Sequence, residues 1–153
     1  MNSEYIKDKF NLIDDTIDKI KTVQDKKLLS MLSNYLVVFI SGIYEDCVEQ
    51  LFIERACKND DEQIQNLVKN LIDKHFRNPM YREVKKWVKY FDSKYVTTFQ
   101  SKIDDKNIQA IDSIVENKNR VAHGENSNAT FKDVNIWYNN SLKIFEVLEE
   151  ILL

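Results

Sequence analysis

The run Tyr35-Leu36-Val37-Val38-Phe39-Ile40 decides the fold, because six consecutive apolar residues give a helix no polar face over this stretch. It lies near the centre of a long helix that the sequence predicts from about residue 26 to about residue 57. A helix that is apolar all round is buried on several sides. We therefore expect this helix to be the central element of a bundle or to lie in a subunit interface.

The segments on either side of this helix show the apolar periodicity of amphipathic helices. Before it, five apolar residues alternate at spacings of four and three and predict a helix over about 3–23, with Ser3 as N-cap. After it, we predict helices over about 61–76 and 106–122 and a last helix to the C-terminus. Asn78-Pro79 separates the first of these from a shorter helix. Thr130 and Asp133 have the spacing of a capping box before the last helix.

Composition supports one all-α domain over 1–153, a compact bundle of about five helices. The 153 residues are 43% hydrophobic and 31% charged, which suffices for a buried core. Only two Gly and one Pro are present, too few for the turns of a barrel or a sandwich. The hydrophobic content also argues against a disordered chain.

Targeting signals and cysteines indicate the compartment. The N-terminal residues lack the basic and apolar regions of a signal peptide, and the longest apolar run is far shorter than the ~20 residues of a membrane span. We expect a cytoplasmic protein without membrane association. Cys47 and Cys57 lie on one predicted helix, too far apart for a disulfide, so we expect both to be reduced and buried.

A second stretch, Asn117-Lys118-Asn119-Arg120-Val121-Ala122-His123-Gly124, lies where the helix of 106–122 ends. One interpretation is an ordinary helix terminus: the cations complement the negative end of the helix dipole, and Gly124 takes the left-handed position that follows the helix. The other interpretation is a functional site, because side chains three to five residues apart converge on one face. The residues alone leave both interpretations open.

This stretch resembles the motif of the HEPN superfamily, which has an Arg often followed by Asn, then a few residues, then His. Asn119, Ala122, His123 and Gly124 lie where that pattern has them, whereas Lys118 takes the position of the leading Arg. From about residue 28 onward, the order of segments also resembles the RiboL-PSP-like branch. The shared features are a long second helix with a Glu, an Asn-Pro break before a basic segment with Trp, the motif, a loop and a final amphipathic helix.

The resemblance implies a two-fold dimer in which the motifs of both protomers line one cleft. It also implies a metal-independent endoribonuclease, a toxin or defence enzyme, that uses the RNA 2′-OH as nucleophile and requires no cofactor. The chain contains neither a P-loop nor a zinc motif, which leaves acid–base chemistry. The candidate catalytic residues are His123, Asn119, Lys118, Arg120 and, on the second helix, Glu45.

Two alternatives stay open. A non-catalytic HEPN module for dimerisation or RNA binding, acting as antitoxin or regulator, is supported by Lys118, since Lys lacks the bidentate fork of Arg. A purely structural adaptor would use the motif for helix capping alone. For Glu45, likewise, the alternative interpretation is an ordinary solvent-exposed Glu on the helix surface.

Residues 69–95 form a basic segment of net charge +5 in a chain of net charge −3. Aromatic residues are interleaved with the cations, a mixture that suits unpaired bases and phosphates. The candidate RNA-binding residues are Arg77, Arg82, Lys85 and Lys86. The alternative is a solvated basic face whose aromatics serve the core. The expected partners are RNA, a second copy of the chain, and an antitoxin or a larger defence system.

Overall fold

The axis of the fold is one long helix, α2, which packs against α1, α3, α6 and α7. The structure is a computed structural model and describes residues 3–153. Over that range it consists of seven helices and contains no strand, which confirms the all-α prediction. The helices are α1 (Glu4–Lys21), α2 (Lys26–Ala56), α3 (Glu62–His75), α4 (Tyr81–Phe91), α5 (Ser93–Lys102), α6 (Asp105–Ala122) and α7 (Phe131–Leu152).

The core forms where α1, α2 and α7 meet. The ring of Phe145 lies 4.7 Å from that of Tyr44 and 5.1 Å from that of Phe10, measured between centroids. Each fully buried side chain of this size contributes about 1.5–3 kcal/mol of hydrophobic free energy. The buried Tyr44 hydroxyl shares a hydrogen bond with Ser141, so its polar end is satisfied inside the core.

Only one side of the apolar run in α2 is buried. Leu36, Val37 and Ile40 are inaccessible to solvent, whereas Tyr35 and Val38 are exposed. Leu28 and Met31 are exposed on the same side, because positions 28, 31, 35 and 38 are spaced by three and four residues. We call Leu28, Met31, Tyr35 and Val38 the α2 stripe. The helix is therefore the centre of the bundle, but it is not buried all round.

The structure has more helices than the predicted bundle of about five, and α5 is the one that matches none of the predicted segments. Asp92 has an extended backbone that ends α4, and its carboxylate accepts from the Lys94 N–H at 2.8 Å to begin α5. Of the ten residues of α5, only Phe99 is fully buried. A helix with so small an apolar face gives no periodic signal in the sequence.

Three local predictions have mixed outcomes. Thr130 and Asp133 form the capping box of α7. Ser3 is the N-cap residue of α1, but its side chain makes no capping hydrogen bond. The prediction that both cysteines are buried was wrong for Cys57, which ends α2 at the surface. Cys47 is buried, which raises the pKa of its thiol to about 12.

Among the helices of residues 3–153, none combines the length and the hydrophobicity needed to cross a bilayer.

Candidate active site

The end of α6 is closed by the main chain. The Glu125 N–H donates to the Arg120 carbonyl and the Gly124 N–H donates to the Val121 carbonyl, both at 3.0 Å. Gly124 has φ +79°, as the helix-terminus interpretation predicts. These two bonds form a Schellman motif, in which the residue after the helix adopts a left-handed conformation. The capping of α6 therefore depends on main-chain hydrogen bonds and on the conformational freedom of Gly124. It needs no side chain of the motif.

The motif side chains divide between two directions. Arg120 and His123 are exposed, and Asn119 is half-buried. Residues 119, 120 and 123 share one face of the helix, since one turn separates 119 and 120 from 123. Lys118 points to another side and reaches the α3–α4 connection. The structure thus places His123 beside Asn119 and Arg120, on the solvent side of α6.

Lys118 is held by two amide oxygens. Its ammonium donates to Asn78 Oδ1 at 2.5 Å and to Asn119 Oδ1 at 3.2 Å. An ammonium carries three protons, so these two hydrogen bonds leave one for a further acceptor. The amides orient the charge of Lys118 without neutralising it.

Glu45 joins this cluster through Asn78. The backbone N–H of Asn78 donates to Glu45 Oε2 at 3.3 Å, and Glu45 is half-buried. Asn78 has φ +53°, the one positive φ of a non-glycine residue within 3–153. Asn adopts this left-handed conformation more readily than most residues. The structure therefore brings Glu45 and Lys118 to opposite sides of one residue that the sequence reasoning treated only as a helix break.

The end of α6 runs along one side of α2. Beyond the motif, the Ser127 N–H donates to Asn34 Oδ1 at 3.2 Å. Asn34 and Glu45 are eleven residues apart, which is three turns, so both lie on the same side of α2. That side borders the α2 stripe, because Asn34 directly precedes Tyr35 and lies one turn from Val38. The candidate site is thus adjacent to an exposed apolar surface.

The exposed Arg77 side chain contacts other residues of the same chain. Its guanidinium donates to the carbonyls of Asp73 and Phe76 and lies 3.6 Å from Glu49 Oε1. Burial, followed by the nearby charge of Glu45, raises the pKa of Glu49 to about 6, although Arg77 opposes this shift. Through these contacts Arg77 joins the α3–α4 connection to Glu49 of α2.

Those candidates form one surface between α4 and α5. A groove of about 460 Å³ is lined by Arg82, Lys85, Lys86 and Lys89, which we call the basic surface. The start of α4 lies against α6, where the Tyr81 N–H donates to Asp112 Oδ1 at 2.8 Å. Asp112 precedes Lys118 by six residues, or about 9 Å of helix. The basic surface therefore begins near the candidate site.

Most aromatics of the basic segment serve the core. Phe76, Tyr81 and Trp87 are buried, and Trp87 lies 5.9 Å from Phe76 between ring centroids. Tyr90, by contrast, is 66% exposed. Few rings of this segment are thus free to stack on bases.

Comparisons with known proteins support the resemblance seen in the motif and in the order of segments. The family model described as RiboL-PSP-HEPN matches residues 3–153. Searches of curated proteins and of solved structures found no match. The family match covers nearly the whole chain, including all seven helices. The chain therefore belongs to the RiboL-PSP-HEPN family.

Proposed function

We propose that this protein is a metal-independent endoribonuclease of HEPN type that acts as a two-fold dimer. The observation that carries the proposal is that exposed His123 and Arg120 share one face at the end of α6 with Asn119, whose side-chain oxygen accepts a hydrogen bond from Lys118. These are the group types that RNA cleavage needs. An acid or base moves the protons, and cations stabilise the charge that builds on phosphorus.

The proposed reaction uses the nucleophile that RNA itself carries. The 2′-OH loses its proton to an imidazole and attacks the adjacent phosphorus, forming the O2′–P bond. The P–O5′ bond then breaks, and the leaving oxygen takes a proton from an imidazolium. The products are a 2′,3′-cyclic phosphate and a 5′-OH. His123 exchanges the protons, Lys118 and Arg120 face the phosphate charge, and Asn119 donates hydrogen bonds from its amide nitrogen.

A dimer would supply a second imidazole to the same cleft. The α2 stripe offers an isologous surface, since a two-fold axis across it pairs each stripe with its own copy. Glu45 and Asn34 border the stripe, so the α6 end of each protomer would lie beside that axis. One His123 then acts as base while the partner's His123 acts as acid.

Glu45 is proposed as a positioning residue. Its carboxylate holds the Asn78 backbone, and Asn78 in turn holds the Lys118 ammonium. The basic surface is proposed to bind the RNA phosphates outside the cleft. Control by an antitoxin or a larger defence system is part of the same proposal.

The decisive experiment incubates the purified protein with tRNA or total RNA in EDTA and maps the ends of the products. Cleavage that persists in EDTA and leaves 2′,3′-cyclic phosphate and 5′-OH ends supports the proposal. Intact RNA, or cleavage that EDTA abolishes, contradicts it. Comparing the 5′ ends with and without kinase treatment distinguishes a 5′-OH from a 5′-phosphate.

A second candidate function is a non-catalytic RNA-binding HEPN module. It is favoured by the contacts of Lys118, whose ammonium is already bound to two amides and lacks the bidentate geometry of Arg. Lys118→Arg separates the two functions. If Lys118 takes the Arg position of an active site, the variant holds or raises the cleavage rate. If wild type and variant both bind RNA without cleaving it, the non-catalytic module is supported.

A further inference from the structure

The helix α3 carries an apolar face that the rest of the fold leaves partly open. Its apolar residues at positions 64, 67, 68, 71 and 72 share one side of the helix. Of these only Ile72 is fully buried, where α3 packs on α2. Leu67 is 59% exposed and Leu71 is 43% exposed. A contiguous apolar surface of this kind on a folded chain indicates a binding site.

The open side of α3 forms a groove with α4. A cavity of about 550 Å³ lies between Val68 and Leu71 on one wall and Trp87, Tyr90 and Phe91 on the other. A second cavity of about 300 Å³ shares Val68 and Phe91 with the first and continues to Ile64. The two cavities therefore make one groove, which we call the α3/α4 groove. It extends along α3 from residue 64 to residue 75, about 16 Å or three helical turns.

Every charged side chain that lines this groove is basic. Arg55 and Lys58 line one end, and Lys86 lines the other. No Asp or Glu is among the residues that line either cavity. Glu83 is nearby and pairs with Lys86 at 3.0 Å, while the other two cations bind Tyr95 and a main-chain carbonyl. The apolar floor thus lies between positively charged ends.

We propose that the α3/α4 groove binds an acidic amphipathic helix of a partner protein. The apolar face of such a helix would cover Leu67, Leu71 and Tyr90, in the helix-in-groove mode of recognition. Its carboxylates would meet the cations at the two ends, which fixes its orientation and selects against basic partners. Three turns of helix match the length of the groove.

Two other occupants fit the groove less well. A second copy that presented the same face would bring its cations against these cations, which is unfavourable. RNA would leave the aliphatic side chains of Ile64, Leu67 and Leu71 without partners, because bases stack on aromatic rings and phosphates bind cations. The basic surface, which shares Lys86 with this groove but has three further cations, suits RNA better.

The test uses two labelled synthetic helical peptides of about 16 residues with the same Leu positions, one with Glu and one with Lys elsewhere. Fluorescence anisotropy with the full-length protein measures the affinity of each. We expect the Glu peptide to bind at least about tenfold more tightly than the Lys peptide, and this preference to shrink with added salt. Equal affinities, or no binding of either peptide at about 1 mM, would overturn the proposal.

Substitutions locate the binding. Leu71→Glu should weaken the affinity for the Glu peptide at least about tenfold, because it places a carboxylate on the apolar floor of the groove. Leu12→Glu is the matched control, since Leu12 is 50% exposed on α1. Both positions are at the surface, so the melting temperature should not change in either variant. Equal effects of the two substitutions would contradict the proposal.

A single-stranded RNA oligonucleotide is the competing probe. The groove is an RNA site, and the proposal fails, if the oligonucleotide binds the wild type, displaces the Glu peptide and no longer binds Leu71→Glu. None of these measurements uses RNA cleavage, so their outcome is independent of the proposed nuclease activity.

Discussion

Asn78 Oδ1 accepts a hydrogen bond from the Lys118 ammonium at 2.5 Å, whereas the Asn78 N–H donates to Glu45 at 3.3 Å. One neutral residue therefore contacts both a carboxylate and an ammonium. A direct ion pair would reduce the charge that Lys118 offers to a phosphate. Asn78 holds the cation in place and keeps its charge available.

The first prediction concerns Asn78→Asp. A carboxylate at this position would pair with Lys118, so RNA affinity and cleavage rate should fall, by about tenfold or more for a charge-assisted contact. Asn78→Gly keeps the left-handed backbone and removes only the amide, so it should have a smaller effect. Filter binding and a cleavage time course measure both. Asn70→Asp, at an exposed position of α3, controls for the change in net charge. Wild-type values in Asn78→Asp would refute the role of Asn78.

The second prediction concerns proton transfer. His123→Ala should lower the cleavage rate by roughly 10² to 10⁴, the usual contribution of a general acid or base. The melting temperature should stay close to wild type, because the main chain closes the end of α6. His75→Ala is the matched control, since His75 is the other histidine of the chain and is also exposed. Undiminished cleavage in His123→Ala, with contaminating nuclease excluded, would defeat the mechanism.

The third prediction concerns the dimer. Light scattering should give a mass of twice the 18.2 kDa chain, and Tyr35→Glu with Val38→Glu should give the monomer. Two charges facing their own copies across the α2 stripe would repel each other. Ile136→Glu, 45% exposed on α7, should leave the dimer intact. A wild-type monomer at micromolar concentration would remove the shared cleft.

The fourth prediction concerns the basic surface. Replacing Arg82, Lys85 and Lys86 together by Glu should weaken RNA binding and flatten its salt dependence, because each phosphate contact on a single strand adds about 0.7 to the slope. The same replacement at Lys7, Lys19 and Lys21 on α1 makes an equal change in net charge away from this surface. If both triple variants have the same slope, binding follows net charge alone and the surface is only solvated.

The fifth prediction concerns pH. Burial raises the pKa of Glu49 from the ordinary 4.5 to about 6, so the folded protein binds this proton more tightly than the unfolded chain. Relative to Glu49→Gln, the wild type should therefore lose stability as pH rises from about 4.5 to above 6 and then stay level. Urea unfolding of both proteins across this range measures the difference. Glu62→Gln, at an exposed position, is the control. A wild type that gains stability relative to Glu49→Gln as pH rises would contradict the raised pKa of Glu49.

The sequence predicted those parts of the fold that depend on local pattern. The spacing of Ile6, Phe10 and Ile13 predicted α1, and all three side chains are buried. The capping box before α7 and the left-handed Gly124 follow from residue types a few positions apart. α5 was missed because Phe99 alone is fully buried in it.

For the candidate site, the sequence predicted the types of residue but not the contacts between them. That Lys118 reaches Asn78 depends on how two segments forty positions apart are placed by the fold, and no local pattern carries that information. The same holds for Arg77, which the basic segment predicted as an RNA contact and which the structure places beside Glu49. In sequence the Asn-Pro pair indicates a turn. Its link to Glu45 is a property of the tertiary structure.

The main-chain closure of α6 has an evolutionary consequence. Backbone hydrogen bonds and Gly124 end the helix, so the fold does not depend on the side chains at positions 120 and 123. Mutations there should cost little stability, so the proposed active site can be lost or regained by single substitutions on one scaffold. Gly124 lacks this freedom, since any other residue at φ +79° is strained.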